Sequence, residues 1–136
     1  MFQRIERATF FGVQGLKVTP HELKALHYSE KVDLVYLERD IRRSKVPPSP
    51  TNLTQAATVL NSYITNANLC SIDLSSLHSL EFPGVSIPSP ACGFTVQEME
   101  QIMNLIGTNK VRIVTLSEYN PAIEKFHSGQ VICRLL

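Results

Sequence analysis

Four β-branched or aromatic runs alternate with four helical runs along this chain, and that order restricts the fold more than any other feature. "RATFFGV" (7–13), "VDLVYLE" (32–38), "NLCSIDL" (68–74) and "KVRIVTLSEY" (110–119) read as strands. Between the first two, Thr19 precedes Pro20 and Glu22 lies three residues past the cap, so "TPHELKALHYS" (19–29) opens with a capping box. Leu53, Ala56, Ala57, Leu60 and Ile64 then repeat at helical spacing. Thr95 and Glu98 make a second capping box ahead of "VQEMEQIMNLIG", where Gly107 is the stop signal. "PAIEKFHSGQVICRLL" reads as a closing helix despite Gly129. Strands alternating with helices predict an α/β fold with right-handed crossovers, a three-layer α-β-α sandwich around a four-stranded, mainly parallel sheet. The run 68–74 is apolar on both faces, the pattern of a central parallel strand.

A chain of 136 residues reads as one domain, 1–136, able to bury a core. Its net charge of +1 argues against nucleic acid or an anionic membrane surface as partner. The basic cluster "RDIRRSK" (39–45) borders the prolines of "VPPSP" with no interleaved aromatics, and reads as a solvated loop rather than a phosphate site. No apolar run approaches the ~20 residues that span a bilayer. "MFQRIERATFFG" lacks the apolar stretch of a secretory signal. Cys70, Cys92 and Cys133 have no CxxC spacing, which predicts reduced thiols in a cytoplasmic protein and no zinc site.

In parallel sheets ligands gather outside the carboxyl ends of the strands. Here those places are Gln14–Gly15, Glu38–Asp40, Asp73–Ser75 and Glu118–Asn120. Asp73 and Glu118 each put a carboxylate at a strand mouth, which suits a metal or substrate site and equally a cap or loop anchor.

Four motifs in order carry a family resemblance. They are Ser71-Ile72-Asp73-Leu74-Ser75, Pro83-Gly84-Val85-Ser86-Ile87-Pro88, Gly93-Phe94-Thr95 and Glu118-Tyr119-Asn120-Pro121. Together they resemble the C-terminal half of the ureohydrolases, the arginase, agmatinase and formimidoylglutamase superfamily, with the Pro-Gly-Val-Ser wording most similar to the formimidoylglutamase branch. The motif-bearing part covers about residues 68 to 125, and "FFGVQGL" and "LERDI" extend a looser likeness upstream. The resemblance implies an arginase-like fold of which this chain is the later part.

It also implies a chemistry. Ureohydrolases hold a pair of Mn²⁺ ions that share a hydroxide, and the hydroxide attacks a guanidino or formimino carbon. Hard cations need several anionic oxygens and imidazoles, which the family supplies as Asp and His. Carried over by position, Asp73 matches a bridging metal ligand and Glu118 the carboxylate that accepts hydrogen bonds from the substrate's nitrogen-rich group. Ser75 stands where the family has a second Asp, so it marks a lost ligand. The family's other ligands come from an upstream His and an Asp-x-His-x-x-x-Asp cluster. None of His21, His27, His78 and His127 follows an Asp by two residues, and His78 reads as a loop histidine.

The expectation is a chain with Asp73 as a remnant ligand, no catalytic residue of its own and no Mn²⁺ bound by itself. Its retained surface would serve binding or assembly. The alternative is the C-terminal part of a Mn²⁺-dependent hydrolase of linear amidines whose metal-binding half lies on another chain or was omitted. A third reading, a receiver domain with Asp73 as phospho-acceptor, suffers because Gln14-Gly15 and Ser117-Glu118 occupy the places of its acidic pair and its Lys. In the family sheet the strands at 7–13 and 33–37 are parted from those at 68–73 and 111–117 by a strand this chain does not contain. Either that gap closes into a four-stranded sheet or the two pairs separate. In the closed order, the apolar strand 111–117 lies at an edge that Lys110 and Arg112 barely protect, which predicts a homo-oligomer or a ureohydrolase-like partner chain.

Overall fold

The computed structural model describes residues 6–14, 19–44, 53–88 and 93–136. Gly15, Pro47, Pro48, Pro50 and Cys92, which carry parts of the sequence reading, lie outside the described residues. The chain divides into two compact units, Met1–Val46 and Pro47–Leu136.

In the first unit, β1 (Ala8–Val13) and β2 (Val32–Tyr36) run parallel and are linked through α1 (Pro20–His27). The capping box is formed: Thr19 Oγ1 accepts the Glu22 N–H at 3.3 Å, and Glu22 Oε2 accepts the Thr19 N–H at 2.9 Å. Gly12 sits at a register shift between Phe11 and Val13 with φ of 79°, a left-handed bulge conformation that favours glycine. The Arg7 guanidinium grips both oxygens of Asp33, at 2.5 and 2.9 Å, and holds that carboxyl below its usual range. Beyond β2, Leu37–Arg42 coil into a π-helical turn, where the sequence alone suggested strand and then loop. Asp40 accepts the Tyr36 N–H at 2.8 Å and closes that turn, which drives Leu37 and Ile41 into the core.

In the second unit, α2 (Gln55–Ile64) precedes β3 (Leu69–Asp73), and α3 (Val96–Thr108) precedes β4 (Ile113–Ser117) and α4 (Phe126–Leu135). Thr54, unnoticed in the sequence reading, caps α2 through its hydroxyl and the Ala57 N–H. Thr95 and Glu98 form the second capping box, at 3.1 and 2.9 Å. β3 and β4 pair parallel in register from Leu69↔Ile113 to Asp73↔Ser117. Val96, Met99, Ile102 and Ile106 share the buried face of α3, which packs on α2 and α4.

The α/β class with parallel strands is present, but the four-stranded sheet is corrected: the described strands form two two-stranded sheets, β1-β2 and β3-β4. Each pair contributes to the buried core, through Val35 in β2 and Ile72 in β3. The central-strand reading of 68–74 is corrected too. Leu69, Ser71 and Asp73 are exposed, and so are their partners Ile113, Thr115 and Ser117, so one face of the pair meets solvent and only the other is covered. Periodicity reports what a strand is suited to bury, whereas cover depends on other elements.

Candidate functional site

The carboxyl ends of β3 and β4 lie side by side, and the sequence motifs converge there. Asp73, the last residue of β3, faces Ser117, the last residue of β4, and Glu118 follows at once. The structure therefore brings Asp73 and Glu118 to one strand mouth, both exposed. Glu118 has φ of 70°, an uncommon conformation for a residue with a side chain, and it ends the strand. Asp73 does the work of a cap: its Oδ1 accepts the Ser75 N–H at 2.8 Å and starts the 3₁₀ turn Leu74–Ser76. That turn buries Leu74 and Ser75. His78 is absorbed by its own turn, where Nδ1 accepts the Leu80 N–H at 3.3 Å.

The loop behind the mouth is held by close backbone approaches. Asn120 donates its N–H to the Gly84 carbonyl at 2.7 Å and its Nδ2 to Ser86 Oγ at 2.9 Å, so the Pro-Gly-Val-Ser and Glu-Tyr-Asn-Pro motifs are one docked structure. Gly84 in turn donates to Ser128 Oγ at 2.9 Å inside the core, and a Cβ on Gly84 would lie 2.6 Å from that oxygen and from the Glu124 carbonyl. Gly93-Phe94-Thr95 docks on Ser76–His78. His78 donates to the Phe94 carbonyl at 2.8 Å, and Phe94 to the Ser76 carbonyl at 2.9 Å. Phe82 fills the space beneath, fully buried, with its ring 6.1 Å from that of Tyr119.

Sequence reading missed Glu124, and only its position shortly before a helix hinted at it. Its carboxylate accepts the N–H groups of Phe126, His127 and Ser128 at 2.8, 2.9 and 2.7 Å, capping α4. The Ser128 backbone and hydroxyl, with His127, pull its pKa down to about 2. A carboxyl depressed on folding stabilises above its unfolded value and loses that effect as pH falls through its folded value. Glu124 therefore contributes above about 4.5 and its contribution fades toward about 2. Wild type is expected to be more stable than Glu124→Gln at neutral pH, with the gap narrowing between about pH 5 and about pH 2. Urea midpoints of both proteins across that range check it, and a gap independent of pH contradicts it.

The chain belongs to the arginase family, whose model matches residues 4–136. No curated protein sequence matches it. Among solved structures, a Trypanosoma cruzi formiminoglutamase in an oxidised form with Mn²⁺ is similar at TM-score 0.80 and 27% identity, over 96% of this chain and 42% of its own. The Bacillus subtilis arginase shares the fold at TM-score 0.73 and 19% identity, over 93% of this chain and 42% of its own. An Entamoeba histolytica arginase in complex with L-ornithine does so at TM-score 0.72 and 18% identity, over 93% of this chain and 40% of its own. The chain thus spans about two-fifths of the length of these relatives.

The first of these structures holds Mn²⁺, an ion with definite demands on its donors. Mn²⁺ favours several carboxylate and imidazole ligands converging on one point. Asp73 offers one carboxylate, already accepting a backbone N–H, and Ser75 offers a neutral hydroxyl. Among the described residues no group of three or more His, Cys, Asp and Glu is placed to hold a metal ion. The residues at this mouth do not fit a dimanganese centre. No helix among the described residues is long and apolar enough to cross a membrane.

Proposed function

We propose that this chain is a formimidoylglutamase-like member of its family that does not hydrolyse amidines by itself and acts, in the cytoplasm, through binding or assembly. The observation that carries this reading is Ser75. It stands at the place of a second acidic ligand, and its backbone N–H takes up an oxygen of Asp73, the one carboxylate at this mouth that matches a metal ligand of the family. A centre that must balance two divalent ions is then short of negative charge, and one carboxylate does not offset the dehydration of a hard cation.

A second reading has its own support. Asp73 and Glu118 share one mouth, and the chain spans only 42% of the T. cruzi enzyme's length, so a polypeptide carrying Asp-x-His-x-x-x-Asp could complete a site here. In that arrangement Glu118 would take the substrate's nitrogen-rich group and Asp73 one metal position.

One assay separates the two. The chain with Mn²⁺ is expected to release neither formamide from formiminoglutamate nor urea from arginine or agmatine. Release by the chain alone overturns the first reading. Release only when a polypeptide bearing the Asp-x-His-x-x-x-Asp cluster is added selects the second.

A further inference from the structure

We infer that Asn120 is a positioning residue: with Ser86 it clamps the end of β4 onto the loop 83–86, and the clamp imposes the left-handed backbone from which the Glu118 side chain departs. This deepens the second reading above, and rests on that reading only for what the Glu118 carboxylate then does.

Among the described residues Glu118 is the one with a side chain whose φ is positive, at 70°. Such a backbone is unfavourable outside glycine and persists where the surroundings over-determine it. Here both neighbours are fixed. Ser117 is held in the parallel ladder opposite Asp73. Tyr119 bridges antiparallel to Val85, and the Asn120 N–H donates to the Gly84 carbonyl at 2.7 Å. The chain thus passes from one partner to another of opposite sense, and Glu118 absorbs the change of direction.

Neither flank can yield in its place. On the loop side, Gly84 donates to the buried Ser128 Oγ at 2.9 Å, and a Cβ there would stand 2.6 Å from the Glu124 carbonyl oxygen. Phe82, just ahead of that turn, is fully buried. On the chain side, Pro121 follows Asn120, and a residue before proline is confined to extended backbone. The Asn120 side chain then locks the two flanks together. Its Nδ2 donates to Ser86 Oγ at 2.9 Å, while its Oδ1 accepts the Ala122 N–H at 3.1 Å. A carboxamide can do both at once, because one end donates and the other accepts. The strain at Glu118 is therefore set from a distance of two residues, by a contact that reaches 34 residues back along the chain.

With φ at 70°, the amide hydrogen and Hα of Glu118 are nearly eclipsed. NMR of the isotope-labelled chain is expected to show a strong NOE between them, and a weaker one in Asn120→Ala and in Ser86→Ala as Glu118 relaxes toward negative φ. A double-mutant cycle supplies a second readout. Glu118→Gly removes the left-handed penalty and is expected to raise the folding equilibrium constant about threefold in the wild-type background. With Asn120→Ala present, that gain should vanish. Ser86→Ala alters only an exposed hydroxyl, so it keeps the test decisive should Asn120→Ala fail to fold. An NOE unchanged by either substitution overturns the clamp, and so does a Glu118→Gly gain of equal size with and without the Asn120 side chain. Both measurements read the backbone and not hydrolysis. Their failure leaves the two functional readings standing, and failure of the second reading leaves the clamp standing.

Discussion

Phe82→Ala is expected to destabilise the Pro47–Leu136 unit by about 3–5 kcal/mol, the range for emptying a filled aromatic site. Phe82 is fully buried and heads the large buried side chains among the described residues, although it lies in a connection and not in a helix or strand. Its ring packs beside that of Tyr119, which bridges to Val85, so the cavity would open under the strand mouth itself. Urea unfolding should show the midpoint lowered by about 2 M at unchanged slope, given a slope of about 1–3 kcal/mol/M. A loss below about 1 kcal/mol would mean that the loop does not use Phe82 as its anchor.

Gly93→Ala is expected to act as strongly, by a different route. A Cβ there would lie 2.5 Å from the Leu77 carbonyl carbon and 2.6 Å from the His78 nitrogen, and these are backbone atoms that no rotamer change can move aside. Relief requires parting the 93–95 segment from 76–78, which breaks the His78–Phe94 and Phe94–Ser76 hydrogen bonds. Each broken bond costs about 1 kcal/mol, and steric strain of about 1–3 kcal/mol adds to it. Gly107→Ala makes the internal comparison. It lies in α3 with no heavy atom within 4 Å of the added methyl, and helix propensity alone should then stabilise by about 0.5–1 kcal/mol. Thermal unfolding of the two variants should move in opposite directions. A Gly93→Ala protein as stable as wild type would contradict the docking of the two segments.

Local chemistry was legible in the sequence, and tertiary cover was not. Both capping boxes formed as Thr19–Glu22 and Thr95–Glu98 spell them, because a cap involves atoms a few residues apart. The parallel order of strands also followed from strand and helix alternation. The π-helical turn at Leu37–Arg42 was missed because Asp40 reaches back to Tyr36, a competition between side chain and ladder that no periodicity reports. Glu124 was passed over for a related reason: its three N–H partners lie ahead of it in a helix whose start carried no Ser, Thr, Asp or Asn cap. Ser128 carried no signal in the sequence, yet it is buried and ties α4 to Gly84, 44 residues away. The motifs gave the strand mouth and its two carboxylates, since their spacing is fixed by one parallel pair. The solvent-facing side of the β3-β4 pair was beyond reach, because an apolar strand records what it can bury and says nothing of what is there to cover it.

The central claim is that this chain by itself does not hold the metal pair of its family, and calorimetric titration with Mn²⁺ tests it most directly. The predicted result is no binding tighter than millimolar, for wild type and for Ser75→Asp alike, because a restored second carboxylate still leaves the imidazole ligands missing. Micromolar Mn²⁺ binding by the unmodified chain would contradict it.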